Sequence, residues 1–164
     1  MGFTSLARKG SLLIVCGLSW LLLSLPAQAK AVDAYVQRYL GVREAVPLVM
    51  NRQGETKLFS PAALSNGKRF FEDNCKNCHV GGTTLPDPTV PLSLDALKGA
   101  TPPRDTVEGL VAFLRQPMVY DGSEETYACR AVPEHWLDSE EIENLAAFIL
   151  RSAEKAPGWG STTF

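Results

Sequence analysis

Cys75-Lys76-Asn77-Cys78-His79 is the stretch of sequence that decides the fold. A Cys-x-x-Cys-His run is the attachment signature of c-type haem, whose vinyl groups react with the two thiols to form thioethers. The short spacing lets Cys75 and Cys78 straddle one edge of the ring and directs the imidazole of His79 beneath the iron. The motif therefore predicts one covalently bound haem c with His79 as the proximal axial ligand.

Two other interpretations of this motif, a redox dithiol and half of a zinc site, need surroundings that the sequence lacks. A thioredoxin-type dithiol belongs to a βαβ setting, and no strand pattern precedes Cys75. A closed zinc site requires four ligands, and only Cys129 and His135 remain to complete one. Haem attachment is the favoured interpretation.

Residues 1–29 have the three-part layout of a cleaved secretory signal peptide. Arg8 and Lys9 form a short basic region, Ser11–Leu25 is almost wholly apolar, and Pro26–Ala29 ends in an Ala-x-Ala cleavage site. The alternative is an uncleaved anchor, but the apolar run is shorter than the ~20 residues that span a bilayer. Export to another compartment is therefore expected.

The mature chain, residues 30–164, is long enough for a single domain with its own core. Loss of Arg8 and Lys9 takes the formal charge from −2 for the whole chain to −4 for this domain, because residues 1–29 contain no acidic side chain. A mildly acidic domain without a basic run is a poor candidate for binding nucleic acid, so no such partner is expected.

The cysteine count becomes odd once the signal peptide is removed. Cys16 leaves with it, and Cys75, Cys78 and Cys129 remain of the four cysteines. In an oxidising compartment an unpaired thiol requires an explanation. If Cys75 and Cys78 carry haem, Cys129 has no disulfide partner within the chain.

Apolar residues at helical spacing predict an all-α domain of several short helices with long intervening loops. Ser60 and Pro61 begin the helix that runs into the haem motif, as N-cap and first helical residue. Capping arrangements at Asp105–Glu108 and Asp138–Glu141 begin two more. Val46–Phe59 is expected to be irregular or weakly extended chain. We expect Gly67, in the middle of the first of these helices, to mark a close contact with another helix, because glycine there costs ~1 kcal/mol relative to alanine.

The second axial ligand has four candidates in the sequence: Met50, Met118, Cys129 and His135. Methionine raises the reduction potential of a haem, a second imidazole lowers it, and an anionic thiolate lowers it further by stabilising ferric iron. Met50 precedes the motif and is expected to be a packing residue. Arg130 stands beside Cys129, where a cation would stabilise a thiolate. The residues alone leave the other three candidates open.

Several separated segments resemble the photosystem II cytochrome c-550 (PsbV) family, the extrinsic low-potential c-type cytochromes of cyanobacteria and algae. They are Cys75–Gly82, the following Thr84–Pro88, the turn Pro117–Gly122 and the closing Trp159-Gly160 with a terminal aromatic residue. The resemblance covers nearly all of the mature chain. It implies a class I-like monohaem cytochrome c fold on the lumenal side of the thylakoid membrane, with peripheral rather than integral membrane association.

The resemblance also implies bis-histidine ligation, and here this chain departs from the family. The family histidine falls ten residues after the tyrosine of the turn, where this chain has Arg130, ten residues after Tyr120, with Cys129 immediately before it. His135 comes five residues later than Arg130, and Met118 precedes the turn. Cys129 needs a shift of only one residue, so we expect His79/Cys129 ligation, with His135 as the next candidate and Met118 after it.

Together these patterns predict a divergent, PsbV-like electron-transfer protein that is not an enzyme. It is expected to be a low-potential cytochrome of the thylakoid lumen, whose partner is the lumenal face of photosystem II or an unidentified lumenal redox protein. One alternative is a structural extrinsic subunit that stabilises photosystem II without electron-transfer turnover, for which the aromatic C-terminus is a candidate contact. A haem-based sensor with Cys129 as a displaceable ligand is the third hypothesis.

Overall fold

Five α-helices and one small antiparallel hairpin form the part of the chain that the computed structural model describes, residues 31–161. The elements follow one another in the order α1 Ala34–Arg38, β1 Val46–Val49, β2 Thr56–Phe59, α2 Pro61–Asn74, a 3₁₀ turn at Val80–Gly82, α3 Leu94–Gly99, α4 Val107–Arg115 and α5 Ser139–Lys155. The predicted signal peptide and the terminal aromatic residue Phe164 lie outside the described residues.

The helix starts follow the capping signals in the sequence. Ser60 accepts a hydrogen bond from the amide of Ala63 at the start of α2, with Pro61 as the first helical residue. Asp138 and Glu141 form a capping box at the start of α5, as predicted. At α4 the cap is Thr106, which satisfies an amide that would otherwise lack a partner.

The close helix contact predicted at Gly67 is confirmed. A Cβ atom on Gly67 would lie 1.9 Å from the carbonyl oxygen of Asn144, so α2 and α5 approach backbone to backbone at this point. Of the helix pairs, α2 and α5 have the most extensive contact. Because α2 ends at Asn74, directly before the Cys-x-x-Cys-His motif, this crossing fixes where the motif begins.

Val46–Phe59, expected to be irregular or weakly extended chain, is extended at both ends, and these ends pair as the antiparallel strands β1 and β2, a pairing that was not predicted. Val46 pairs with Phe59 and Val49 with Thr56, and Gly54 adopts a φ of 81° in the connecting turn. Each strand has four residues, and only Leu48 and Phe59 are buried. Two such short segments with one inward side chain each give no alternation to detect. The domain is otherwise helical.

The segment after α5 is part of the core. The ring of Trp159 packs against Phe71 and Phe148, with centroid separations of 5.3 and 5.9 Å. Its indole N–H donates to the carbonyl of Leu92 at 2.9 Å. Trp159 is thus partly buried and engaged within the domain.

Candidate haem-binding site

The attachment segment, residues 75–84, begins where α2 ends and turns sharply. Cys75 terminates the helix, with its amide donating to the carbonyl of Phe71 at 2.8 Å. The amides of Cys78 and His79 then both donate to the carbonyl of Cys75, at 3.1 and 3.0 Å. This tight turn gathers the three side chains, and all of them line one cavity of about 460 Å³.

The remaining walls of this cavity are mainly apolar and come from helices α3, α4 and α5, from the Cys129 loop and from the loop that follows the attachment segment. Helices α3, α4 and α5 contribute Leu97, Leu110, Phe113, Leu114 and Ile149. The Cys129 loop, which we define as residues 117–132, contributes Met118, Val119, Cys129 and Val132. The volume is in the usual range for a small-molecule site, ~300–1,000 Å³. A planar apolar cofactor matches such a lining.

Hydrogen bonds fix the tautomer of His79. The hydroxyl of Thr84 donates to the carbonyl of Val90, so towards His79 Nδ1, 3.0 Å away, its oxygen can only accept. The carbonyl of Thr83, at 3.2 Å from the same nitrogen, is also an acceptor. Nδ1 therefore carries the proton, which leaves a lone pair on Nε2. Burial lowers the pKa of His79, and this favours the neutral imidazole that binds metals.

A third thiol, that of Cys129, lines the same cavity as Cys75 and Cys78. Burial raises the pKa of Cys75 to about 12, and the neighbouring Cys129 and Cys78 add to the increase. Burial also raises the pKa of Cys129, while the positive charge of Arg104 opposes this change. The structure thus brings Cys129 to the motif, although more than 40 residues separate Cys129 from Cys78 in the sequence.

The other two candidates for the second axial ligand have different positions. His135 is exposed and does not line the cavity. Its neighbour Trp136, in the same turn from Pro133 to Leu137, does line the cavity. Met118 lines the cavity, held by an isolated bridge to Glu125. Of the three, Cys129 and Met118 are therefore the ones that the described structure places at the site.

Met50 packs partly buried against the core instead of lining the cavity. Its carbonyl accepts a hydrogen bond from the amide of Glu108 at 2.9 Å, which ties β1 to the start of α4. This is the packing role expected from the sequence.

Arg104, which no sequence pattern singled out, lines this cavity, and its positive charge opposes the rise in the pKa of Cys129. Its guanidinium stacks over the ring of Phe113, 3.8 Å from the centroid, and Nη2 donates to the carbonyls of Met118 and Val119 at 3.0 and 2.9 Å. Arg130, which the sequence favoured for this role, stacks over Trp136 at 4.8 Å. No sequence signal marks Arg104, because its position depends on how α4 and the Cys129 loop pack.

The residues present fit a haem. Two thiols and an imidazole with a free Nε2 lone pair stand at one part of an apolar cavity, and a further thiol reaches it from the Cys129 loop. The buried Nε of Arg104, which also lines the cavity, has no hydrogen-bond partner among residues 31–161. Thioether formation, iron ligation and neutralisation of a carboxylate are the functions that this donor set can serve.

Comparison with known proteins gives the family. The family model for the cytochrome c-550 domain matches residues 33–164. The chain belongs to the cytochrome c-550 family. Membership implies a haem c cofactor, and cytochromes c are in general electron-transfer haem proteins.

Relatives within the family carry two kinds of name. The chain is 59% identical to a cytochrome c-550-like protein of Thermosynechococcus vestitus over 156 residues, which are 94% of this chain and 89% of that protein. It is 54% identical to photosystem II extrinsic protein V of Gloeobacter violaceus over 129 residues, 79% of this chain and 69% of that protein.

The same family relationship is seen in solved structures. The crystal structure of the PsbV2 cytochrome from Thermosynechococcus elongatus matches with a TM-score of 0.78 and 63% identity, covering 79% of this chain and 99% of that chain. That of cytochrome c549 matches with a TM-score of 0.57 and 30% identity, covering 66% and 90%. Both confirm the monohaem, class I-like cytochrome fold. Within residues 31–161, no helix is long and apolar enough to cross a bilayer.

Proposed function

We propose that this protein is a low-potential monohaem c-type cytochrome of the thylakoid lumen that transfers one electron at a time. In this proposal Cys75 and Cys78 hold the haem covalently, His79 is the proximal axial ligand and Cys129 the distal one. The observation that carries the ligand assignment is that Cys129 lines the cavity of the attachment motif, whereas His135 does not.

The cofactor supplies a one-electron iron couple, and the protein sets its potential. The apolar lining excludes water from the metal. The hydrogen bond from Nδ1 of His79 makes its imidazole a stronger donor, which favours ferric iron. A thiolate at Cys129 would favour ferric iron further. The hydrogen bond from His79 and a thiolate at Cys129 act in the same direction, which supports a low potential.

The location in the thylakoid lumen rests on two supports. Residues 1–29 have the pattern of a signal peptide. A relative that is 54% identical is named as an extrinsic protein of photosystem II. Peripheral association with the lumenal face of photosystem II, or with a lumenal redox partner, is the arrangement we propose.

The ligand assignment is tested with three variants of the haem-loaded protein: Cys129→Ser, His135→Gln and Met118→Leu. We expect Cys129→Ser to change the ferric optical spectrum and to raise the reduction potential by on the order of 100 mV, because axial ligands are the main determinant of haem potentials. His135→Gln and Met118→Leu should leave the ferric spectrum unchanged. If Cys129→Ser keeps the wild-type spectrum, Cys129 is not the ligand.

A second candidate function, favoured by the names of the photosystem II extrinsic relatives, is a structural subunit that stabilises photosystem II without electron-transfer turnover. The two roles differ in where the protein is found. Copurification with photosystem II particles and release by salt identify a protein bound to the photosystem, and absence from the particles identifies a free carrier. If the protein copurifies, a haem that stays in one oxidation state during illumination indicates a structural subunit, and a haem that is oxidised and reduced indicates an electron carrier.

A further inference from the structure

The guanidinium of Arg104 is held in a fixed orientation. It stacks over Phe113, and Nη2 donates to the carbonyls of Met118 and Val119. The backbone is held as well, since the amide of Arg104 donates to the carbonyl of Leu97 at 2.8 Å. Because these contacts fix the plane of the guanidinium, they also fix the direction of its remaining N–H bonds.

Among the described residues, one of those N–H groups lacks an acceptor, and the charge of Arg104 lacks an ion-pair partner. Nε is buried and has no acceptor among residues 31–161. None of the ion pairs formed by the described residues involves Arg104. A buried donor on a cation that cannot lose its proton is costly unless an acceptor, best an anion, is supplied. Since Arg104 lines the cavity, a bound cofactor is placed to supply it.

We propose that Arg104 binds a carboxylate of the cofactor: its Nε–H donates a hydrogen bond to one haem propionate, and its charge neutralises that group. This inference rests on the proposed function, in which the cavity holds a haem. A fixed cation beside the cofactor favours the reduced haem and so raises the reduction potential. Arg104 therefore keeps the potential from falling as low as the thiolate alone would set it.

The test compares Arg104→Gln and Arg104→Lys with Arg130→Gln in the mature, haem-loaded protein. Arg130 is a matched control, because it also borders the cavity but lies exposed over Trp136. Resonance Raman spectra report hydrogen bonding of the propionates through their bending bands. We expect both Arg104 variants to shift a propionate band, and Arg130→Gln to leave the bands unchanged.

Measurement of the reduction potential separates the effect of the charge of Arg104 from the effect of its hydrogen bond. Arg104→Gln should lower the equilibrium constant for reduction about tenfold, which is about 59 mV for a one-electron couple. Arg104→Lys keeps the charge and should lower it less. Propionate bands that match the wild type in both Arg104 variants would overturn the proposal.

A crystal structure of the wild-type haem-loaded protein tests the same contact independently of how the variants fold. A propionate oxygen within about 3.2 Å of Nε supports the proposal; Nε with only water or protein acceptors overturns it. Failure of the proposed function is recognised separately, because a wild-type protein without covalent haem, or with an axial ligand other than Cys129, is detected before any Arg104 variant is made.

Discussion

The attachment segment and the Cys129 loop line one cavity, but they are held there by different kinds of contact. In the attachment segment the amides of His79, Gly82 and Thr83 each bond to a carbonyl three or four residues earlier. In the Cys129 loop, residues 127–131 make no backbone–backbone hydrogen bond with any described residue. The attachment segment is built by local geometry, whereas residues 127–131 of the Cys129 loop depend on what packs around them.

This difference separates two questions about the protein. The attachment segment determines that the chain carries haem c, since thiol spacing, turn and imidazole all lie within a few residues. In the proposed function the Cys129 loop determines which kind of cytochrome it is, because it supplies the second axial ligand. A shift of one residue within residues 127–131 would break no backbone–backbone hydrogen bond with a described residue, and a shift of one residue is what the ligand proposal requires of Cys129.

The largest expected effect contrasts the thiols of the two regions. Cys78→Ser removes one of the two thioether positions, and we expect the variant to lose most of its covalently attached haem. Cys129→Ser, in the same cavity, should retain covalent haem in full. Pyridine haemochrome spectra and the mass of the denatured protein measure the attachment. Equal loss of covalent haem in both variants would mean that attachment depends on Cys129 as much as on Cys78, and would contradict the separate roles of the two regions.

A change at the helix crossing tests how tightly α2 and α5 pack before the attachment segment begins. Gly67→Val places side-chain atoms against the Asn144 carbonyl, so we expect destabilisation of about 3 kcal/mol, the cost of severe overpacking. Ala62→Gly, at an exposed position in the same helix, should cost only ~1 kcal/mol. Denaturant unfolding of the two variants measures the difference, and similar values would show that the crossing is not tightly packed.

A smaller effect is expected from the hydrogen bond to the proximal imidazole. Thr84→Val removes one acceptor of the His79 Nδ1–H and leaves the Thr83 carbonyl in place. The imidazole becomes a weaker donor, so the reduction potential should rise modestly. Thr89→Val, at an exposed position in the same loop, is the control and should leave the potential unchanged. A fall in potential would contradict the assigned tautomer.

The sequence predicted what depends on neighbours along the chain. Ser60, the Asp138 capping box and the glycine at the α2–α5 crossing are each marked by residue type and position within one helix. Arg104 was missed, because its stacking on Phe113 and its bonds to the Cys129 loop exist only in the folded domain. The hairpin was missed because four-residue strands leave no periodic pattern. The packing of Trp159 was not predicted, because its contacts with Phe71 and Phe148 join residues that are distant in the sequence.

Electron paramagnetic resonance of the ferric wild-type protein, beside Cys129→Ser, tests the central claim most directly. We predict a low-spin signal with the narrow spread of g values that thiolate ligation produces, and its loss in Cys129→Ser. A wild-type signal with the wide spread typical of two histidines, unchanged in Cys129→Ser, would contradict the account.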